Sequence, residues 1–144
     1  MQIESIRLKN FKSFADAQMN DIPRFCVIVG ANGSGKSSLF SVFEFLREAL
    51  TSNVHTALVK LGGSRGFQEV RTRGAEGNIE IELKFRADEH SPLITYSLSI
   101  GEEHGRPFVA REVLKYRRGS GGQPWHFLDF SRGEGLAVTN EVAH

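Results

Sequence analysis

The sequence lacks several features that would assign it to a specialised class of protein. Its 144 residues include one cysteine, Cys26, which excludes an internal disulfide and fits a reducing compartment. With 18 Lys and Arg against 17 Asp and Glu, the net charge is +1, so no overall field favours nucleic acid, membrane or an acidic partner. No apolar run approaches the roughly 20 residues of a membrane span, and no signal peptide opens the chain. We therefore expect a soluble, cytoplasmic protein with no membrane partner.

The composition also limits metal sites and domain number. The five histidines are too scattered to form a metal site with Cys26, which lies in an apolar run and is expected to be buried in the core. Hydrophobic residues make up 40% of the chain, enough for one core, whereas two domains of this size would each be small for stability. We predict a single domain over residues 1–144.

The first third of the chain predicts a strand, a glycine loop and a helix in succession. Residues 1–14 indicate a strand that runs into a loop, and a partner strand is expected at Ala15–Met19. The run FCVIVG, which ends at Gly30, is typical of a strand covered on both faces. The stretch KSSLFSVFEFLREAL after Gly35 has helical spacing. Its predicted buried stripe consists of Leu39, Val42, Phe43, Leu46 and Leu50.

The rest of the chain predicts antiparallel strands. Residues 51–53 should end the helix, and the segment to Gly77 should be loop with some helix. Strict alternation in IEIELKF (Ile79–Phe85), repeated at Tyr96, Leu98 and Ile100, indicates half-buried antiparallel strands. Further strands are expected at Phe108–Tyr116, Trp125–Phe130 and Leu136–Thr139, with a hairpin loop at Arg117–Pro124.

The segment GANGSGKS, residues 30–37, matches the G-x-x-x-x-G-K-[ST] pattern of a phosphate-binding P-loop. Its glycines can adopt backbone conformations closed to other residues, so the N–H groups can converge on a phosphate. A helix that begins there adds unsatisfied N–H groups and its positive dipole end. The predicted nucleotide-binding residues are Gly30, Ala31, Asn32, Gly33, Ser34, Gly35, Lys36, Ser37 and Ser38.

Two side chains of this loop have specific predicted roles. Lys36 would reach the β and γ phosphates as a compact positive charge, and it is the predicted catalytic residue. Ser37 would supply a hydroxyl oxygen to Mg²⁺ as the predicted metal ligand. A glycine-rich helix entrance without a ligand is the alternative, but a chance match occurs in on the order of one chain in a few hundred. The predicted fold class is therefore α/β, in part α+β, with a P-loop NTPase core and an attached antiparallel β-meander.

Taken together, IRLKNFKSF and VIVGANGSGKSSLFSVFEFL resemble the opening of the ABC-type ATPases related to the structural maintenance of chromosomes (SMC) and RecF proteins. The later GGSRGFQEVRTRG and IEIELKF look like predicted ATPases of that group, some of which accompany nucleases. The resemblance implies a first lobe that binds ATP and Mg²⁺. It also implies that Lys12 and Ser13 lie near the adenine end of the nucleotide. Gln68 is the candidate for the family's Q-loop glutamine, which contacts Mg²⁺ or the attacking water, although it could equally be a solvated loop residue.

The sequence departs from this family in its later motifs. It contains no run of four apolar residues followed by Asp and Glu, and Asp88 and Glu89 are expected to form a turn instead. The family's serine-rich signature and its histidine switch are also missing. Truncation is the simplest explanation, so we expect a partial domain whose C-terminal lobe lies outside this chain. The resemblance implies a homodimer when full-length and negligible hydrolysis by this chain alone.

Other functions stay open at the level of sequence. One alternative is a non-hydrolysing nucleotide-binding interaction module, and another is a P-loop phosphotransferase, whose lid segments are not recognisable. Contact with DNA phosphates could come from Arg65, Arg71 and Arg73, or from Arg111, Lys115, Arg117 and Arg118. Interleaved glutamates favour a solvated face for both clusters. We expect Phe40, Phe43 and Phe45 to pack between helix and sheet rather than to stack with bases.

Overall fold

The described residues form one antiparallel sheet with helices against one face. The computed structural model describes residues 2–22, 36–116, 125–132 and 134–137. The strands in these ranges are β1 (Gln2–Phe11), β2 (Phe14–Met19), β3 (Ile79–Arg86), β4 (Ile94–Glu103), β5 (Arg106–Tyr116), β6 (Trp125–Ser131) and β7 (Glu134–Ala137). They lie in the order β2-β1-β3-β4-β5-β6-β7, and each neighbouring pair is antiparallel. Between β2 and β3 lie α1 (Lys36–Thr51), α2 (Val54–Gly62), a 3₁₀ turn (Gly63–Arg65) and α3 (Phe67–Val70).

Most of the predicted elements are confirmed. Strands occur where the alternating patterns placed them, although β7 begins at Glu134 rather than at Leu136. The helix from Lys36 ends at Thr51, and the segment that follows contains the expected mixture of loop and helix. The predicted strand at residues 25–30 and the loop at 117–124 lie outside the described residues. Tyr116 is nevertheless opposite Trp125 in the β5–β6 pair, as a hairpin requires.

Alternation along the central strands sorts apolar from charged side chains. Ile79 lies opposite Ile100 and Ile81 opposite Leu98, and all four side chains are buried against the helices. The other face of the sheet carries charged side chains such as Lys9 and Glu80, whose Nζ and Oε2 atoms are 3.8 Å apart. An antiparallel sheet with one packed and one solvated face produces this pattern.

The helix α1 buries only part of the predicted stripe: Val42 and Leu46 are confirmed, while the side chain of Leu39 lies outside the description. Val42, Phe45 and Leu46 are buried, and the Phe45 ring meets the buried Phe11 ring edge-on with 5.9 Å between centroids. The prediction was wrong for Phe43 and Leu50, which are 38% and 66% exposed. Phe40 is likewise exposed, so of the three phenylalanines only Phe45 packs between helix and sheet. The reason is that α1 is apolar on two adjacent faces, and spacing alone does not show which face meets the sheet.

The connection from α1 to α3 is shaped by an asparagine cap and a glycine. Asn53 caps α2, because its side-chain oxygen accepts a hydrogen bond from the Thr56 N–H at 2.7 Å. Gly66 precedes α3 with a φ of +44°, in the left-handed region that glycine adopts at no steric cost. Its carbonyl accepts from the N–H groups of Glu69 and Val70, which closes the single turn of α3. Phe67 and Val70 then anchor that turn in the core.

Candidate functional site

The predicted phosphate loop falls largely beyond what the structure describes. Gly30, Ala31, Asn32, Gly33, Ser34 and Gly35 lie outside the described residues. The backbone of Lys36, Ser37 and Ser38 forms the start of α1, while their side chains lie outside the description. The predicted helix after the loop is thus confirmed, and the roles of these nine residues stay predictions.

The hairpin between β1 and β2 places Lys12 and Ser13 at a two-residue turn. Phe11 and Phe14 face each other across it, and Lys12 has a φ of +50°. The Lys12 N–H donates to the carbonyl oxygen of Val70 at 2.7 Å. This bond joins the turn to the end of α3, so the position of the Lys12 backbone is set by the helix as well as by the strands.

Gln68 lies on α3 beside this turn. Its backbone is held between the buried Phe67 and Val70, while its own side chain is exposed. The side-chain amide donates a hydrogen bond from Nε2 to Oε1 of Glu102 on β4. Gln68 is therefore a surface residue, but its side chain has a defined partner on the sheet.

Lys12, Ser13 and Gln68 line one groove of about 490 Å³. The resemblance selected Lys12 and Ser13 as one loop and Gln68 as a separate candidate, and the fold brings the loop and Gln68 together. Four basic side chains and one acidic side chain, that of Glu69, line this groove, so positive charge is in excess; the other basic residues are Arg65, Arg71 and Arg73. Its volume is within the range of about 300–1,000 Å³ that is usual for small-molecule sites.

The groove is cationic, and its basic side chains differ in how they are held. The Arg71 guanidinium lies 5.0 Å from the Phe67 ring centroid and donates to the carbonyl of Gly77 at 3.2 Å. For Lys12 and Arg73, no ion-pair or hydrogen-bond partner of the side chain occurs within the described part of the chain. Two cations without partners among the described residues, in a polar groove, favour an anionic ligand such as a phosphate.

The wall of the groove depends on a residue that we did not single out from the sequence. Asn10 has a φ of +58°, and its side-chain Nδ2 donates to the carbonyl oxygens of Glu76 and Asn78 at 3.3 and 2.9 Å. Its own carbonyl accepts from the N–H of Thr72 at 3.0 Å. Thr72 in turn donates from its hydroxyl to the carbonyl of Phe14 at 3.0 Å. A signal for Asn10 was present, because asparagine tolerates the left-handed conformation better than other non-glycine residues.

Of the remaining candidates, Arg65 also lines the groove and Arg111 lies on β5. Arg65 forms an ion pair with Glu69 at 3.2 Å, as expected for interleaved charges, and Arg111 forms one with Asp129 at 3.0 Å. Glu112 departs from that expectation, because it accepts from the Tyr96 hydroxyl at 2.6 Å. Lys115 also lies on β5, and Arg117 and Arg118 are outside the described residues.

Asp88 and Glu89 form the predicted turn, between β3 and β4. Asp88 Oδ1 accepts from the Ser91 hydroxyl at 2.9 Å and from the His90 N–H at 2.8 Å, and these hydrogen bonds lower the pKa of Asp88. Across the described ranges, no group of three His, Cys, Asp or Glu side chains could hold a metal ion. Among the helices in those ranges, none has the length and apolar character needed to cross a membrane.

A family model for the AAA ATPase domain matches residues 1–123 of this sequence. The chain belongs to that family. The match spans both the predicted phosphate loop and the groove, so both belong to the AAA ATPase domain.

Individual relatives agree with this assignment. The chain is 36% identical over 91 residues to the DNA double-strand break repair Rad50 ATPase of Thermoplasma volcanium, a match that covers 63% of the chain and 9% of that protein. The Rad50 ATPase of Saccharolobus solfataricus is 32% identical over 117 residues, covering 80% of the chain and 13% of that protein. The DNA replication and repair protein RecF of Lactobacillus johnsonii is 29% identical over 90 residues, a match that covers 60% of the chain and 23% of that protein. The chain thus spans less than a quarter of the length of these relatives.

A solved structure shares the fold. It comes from work on ATP-driven dimerization and DNA-stimulated activation of SMC ATPases, with a TM-score of 0.50, 23% identity, and coverage of 83% of this chain and 73% of the solved chain. The sequence and structure matches confirm the resemblance to the SMC and RecF group. They support an ATPase domain of a kind found in DNA repair and maintenance proteins.

Proposed function

We propose that this AAA ATPase domain is the nucleotide-binding lobe of a protein that hydrolyses ATP to ADP and phosphate. The observation that carries the proposal is the convergence of Lys12, Ser13 and Gln68 in one cationic groove. The resemblance gave Lys12 and Ser13 as one loop and Gln68 as a separate candidate, and these two chain segments are brought together by the fold. Relatives that act in DNA repair support a role in repair, chromosome maintenance or defence.

Each group at the site would act on a different part of the nucleotide. The N–H groups of residues 30–35 and the start of α1 would hold the phosphates, and Lys36 would neutralise the β and γ phosphates. The Lys12 ammonium and Arg73 guanidinium, unpaired within the described residues, add positive charge along the groove. These groups bind and orient the nucleotide, which is the main contribution of proteins to phosphoryl transfer.

The donor set also fits Mg²⁺. Mg²⁺ prefers oxygen ligands and usually retains several waters, so it needs few protein groups. The Ser37 hydroxyl and the Gln68 amide carbonyl are oxygen donors of that kind. Bound Mg²⁺ would neutralise charge on the phosphates during hydrolysis.

Hydrolysis requires parts that this sequence does not contain. We propose that a second lobe supplies the water-activating carboxylates. A second copy of the protein would supply the serine-rich signature motif that closes the site. The exposed face of α1 supports this, since Phe40, Phe43 and Leu50 are large apolar side chains that stay exposed there among the described residues, on the same face as Arg47. The chain alone should bind nucleotide weakly and hydrolyse it negligibly.

Calorimetric titration with Mg-ATP, Mg-GTP and ADP tests the binding. We expect Mg-ATP to bind, Lys36→Ala to weaken binding by at least about tenfold, and Lys12→Ala to weaken it by about 3- to 10-fold, the range of one charge-assisted contact. Lys60→Ala is the matched control, because Lys60 pairs with Glu48 at 3.1 Å, away from the groove. In a thermal-shift screen, a ligand at 100 times its dissociation constant should stabilise the fold by about 2.7 kcal/mol.

Two outcomes would contradict the proposal. If millimolar Mg-ATP neither binds nor shifts the melting temperature of the wild-type chain, the lobe is not a nucleotide site. If the full-length protein binds ATP but releases no phosphate above the Lys36→Ala background, the protein is a non-hydrolysing module instead.

A further inference from the structure

Thr72 joins both strands of the β1–β2 hairpin beside its turn. Its backbone N–H donates to the carbonyl oxygen of Asn10 on β1 at 3.0 Å. Its side-chain hydroxyl donates to the carbonyl oxygen of Phe14 on β2, also at 3.0 Å. Asn10 and Phe14 lie on opposite sides of the turn formed by Lys12 and Ser13. One loop residue therefore holds the two strands together next to the tip of the hairpin.

The side chain of Thr72 is well suited to hold this position. It is half-buried and branched at Cβ, so few rotamers are open to it. A carbonyl oxygen only accepts hydrogen bonds, so the Thr72 hydroxyl must be the donor to Phe14. Valine has nearly the same shape but no donor. A Thr72→Val substitution therefore removes this hydrogen bond with little change in packing.

Thr72 also begins the turn that carries Arg73. The carbonyl oxygen of Thr72 accepts from the N–H of Ala75 at 3.0 Å, and Gly74 has a φ of +80°. A glycine with positive φ at the third position is typical of a type II turn. Arg73 occupies the second position of this turn, so the hydrogen bonds of Thr72 also set the position of the Arg73 backbone.

The two segments that Thr72 joins carry the available cations of the groove. Lys12 lies at the tip of the hairpin turn, and Arg73 directly follows Thr72. Both side chains line the groove, and within the described ranges neither has an ion-pair or hydrogen-bond partner. The other two basic side chains of the groove already contact protein groups. An anionic ligand would thus meet one free cation from each segment.

We infer that Thr72 is a positioning residue that holds Lys12 and Arg73 at a fixed spacing, so that both act on the negative charge of one bound nucleotide. This inference rests on the proposed function, because it takes the groove as part of a nucleotide site. Long basic side chains lose rotamer entropy when a ligand orders them, and a fixed backbone limits the further ordering that binding requires. Without the Thr72 hydroxyl, the hairpin turn and the loop that carries Arg73 could move independently.

The test is calorimetric titration of the full-length protein with Mg-ATP at several salt concentrations, on variants that circular dichroism shows to be folded. In Thr72→Val the affinity at low salt should fall about 3- to 10-fold, the range of one charge-assisted contact. The affinity should also depend less steeply on salt, because fewer charges of the protein act on the ligand. A merely structural effect would lower the affinity by a similar factor at each salt concentration. Thr72→Ser keeps the donor and should bind as the wild type does.

Thr51→Val is the matched control. The Thr51 hydroxyl also donates to a backbone carbonyl, that of Arg47 at 2.8 Å, but Thr51 does not line the groove. This variant should keep the wild-type affinity and salt dependence. Removal of both cations tests the mechanism, because Thr72→Val should have no further effect on affinity in the Lys12→Ala, Arg73→Ala background.

The outcomes separate this inference from the proposed function. If the wild type binds Mg-ATP but Thr72→Val has the wild-type affinity and salt dependence, Thr72 is not a positioning residue. The inference is equally wrong if Thr72→Ser fails to restore binding, or if Thr72→Val lowers the affinity by the same factor when both cations are absent. If the wild type shows no Mg-ATP binding, the proposed function itself fails, and the role of Thr72 with it.

Discussion

Replacement of Asn10 tests how the groove is held together. This side chain is 7% exposed and donates to two backbone carbonyls, those of Glu76 and Asn78, while its backbone has a φ of +58°. An alanine at this position loses both hydrogen bonds, which are worth about 0.5–1.5 kcal/mol each. It also has to adopt a left-handed conformation at a cost of about 1–2 kcal/mol. We therefore expect Asn10→Ala to lower the free energy of unfolding by about 2–5 kcal/mol.

Two further substitutions separate these contributions. Asn10→Gly loses the same hydrogen bonds but adopts a positive φ readily, so it should be less destabilising than Asn10→Ala by about 1 kcal/mol. Asn10→Asp keeps the shape but turns a carboxylate oxygen toward two carbonyl oxygens, so it should be at least as damaging as the loss of both hydrogen bonds. The assay is urea unfolding followed by circular dichroism.

The control is Asn20→Ala, since Asn20 is exposed and accepts from Ser5 and Gln18 at the far end of β2. Its effect should stay within about 1 kcal/mol. The reasoning is refuted if Asn10→Ala and Asn10→Gly are equally stable, or if both unfold at the wild-type urea concentration. In the first case backbone conformation plays no part, and in the second the hydrogen bonds to Glu76 and Asn78 do not hold the loop.

Two other predictions concern the sheet. A Cβ atom at Gly101 would lie 2.8 Å from Asn78 Oδ1 and 3.0 Å from Phe108 Cζ, so both side chains must shift, and Gly101→Ala should destabilise the fold by about 1 kcal/mol in urea unfolding, with Ser97→Ala on the same strand near the wild type. Burial and the hydrogen bond to Glu112 raise the pKa of Tyr96, so the folded state favours the neutral phenol. Stability from this group is present below pH about 10 and declines as the pH rises above it, so the wild type should lose more stability than Tyr96→Phe between pH 8 and pH 10.5. Equal losses in the two proteins would contradict this.

The elements could be predicted from the sequence because their signals are local. Alternation in residues 79–85 is enough to predict β3, and the change from glycines to helical spacing at Lys36 is enough to predict the start of α1. A partner strand after β1 was also expected, although the turn lies at Lys12 and Ser13, before the end of the predicted strand at residue 14. Such patterns depend on neighbouring residues and so appear in a single chain.

The contacts between elements could not be predicted in this way. Spacing did not show that Phe45 rather than Phe43 faces the sheet, because both faces of α1 are apolar. The groove depends on the hydrogen bond from Lys12 N–H to Val70, two residues far apart in sequence with no shared pattern. Family resemblance supplied Lys12 and Ser13 as one loop and Gln68 as a separate candidate, and it took the fold to show that Gln68 lies beside that loop.

The place of β1 in the sheet has a consequence for how the protein assembles. From β3 to β7, each strand pairs with the next one along the chain, whereas β1 joins this series only after the long helical segment has closed. Pairings between distant segments form slowly, because closure of the connecting chain costs entropy before any contact repays it. The groove lies next to the β1–β3 pairing, with the β1–β2 turn on one side and α3 on the other. A molecule in which β1 has separated from β3 would keep the hairpins from β3 to β7 but would lose the groove that binds the ligand.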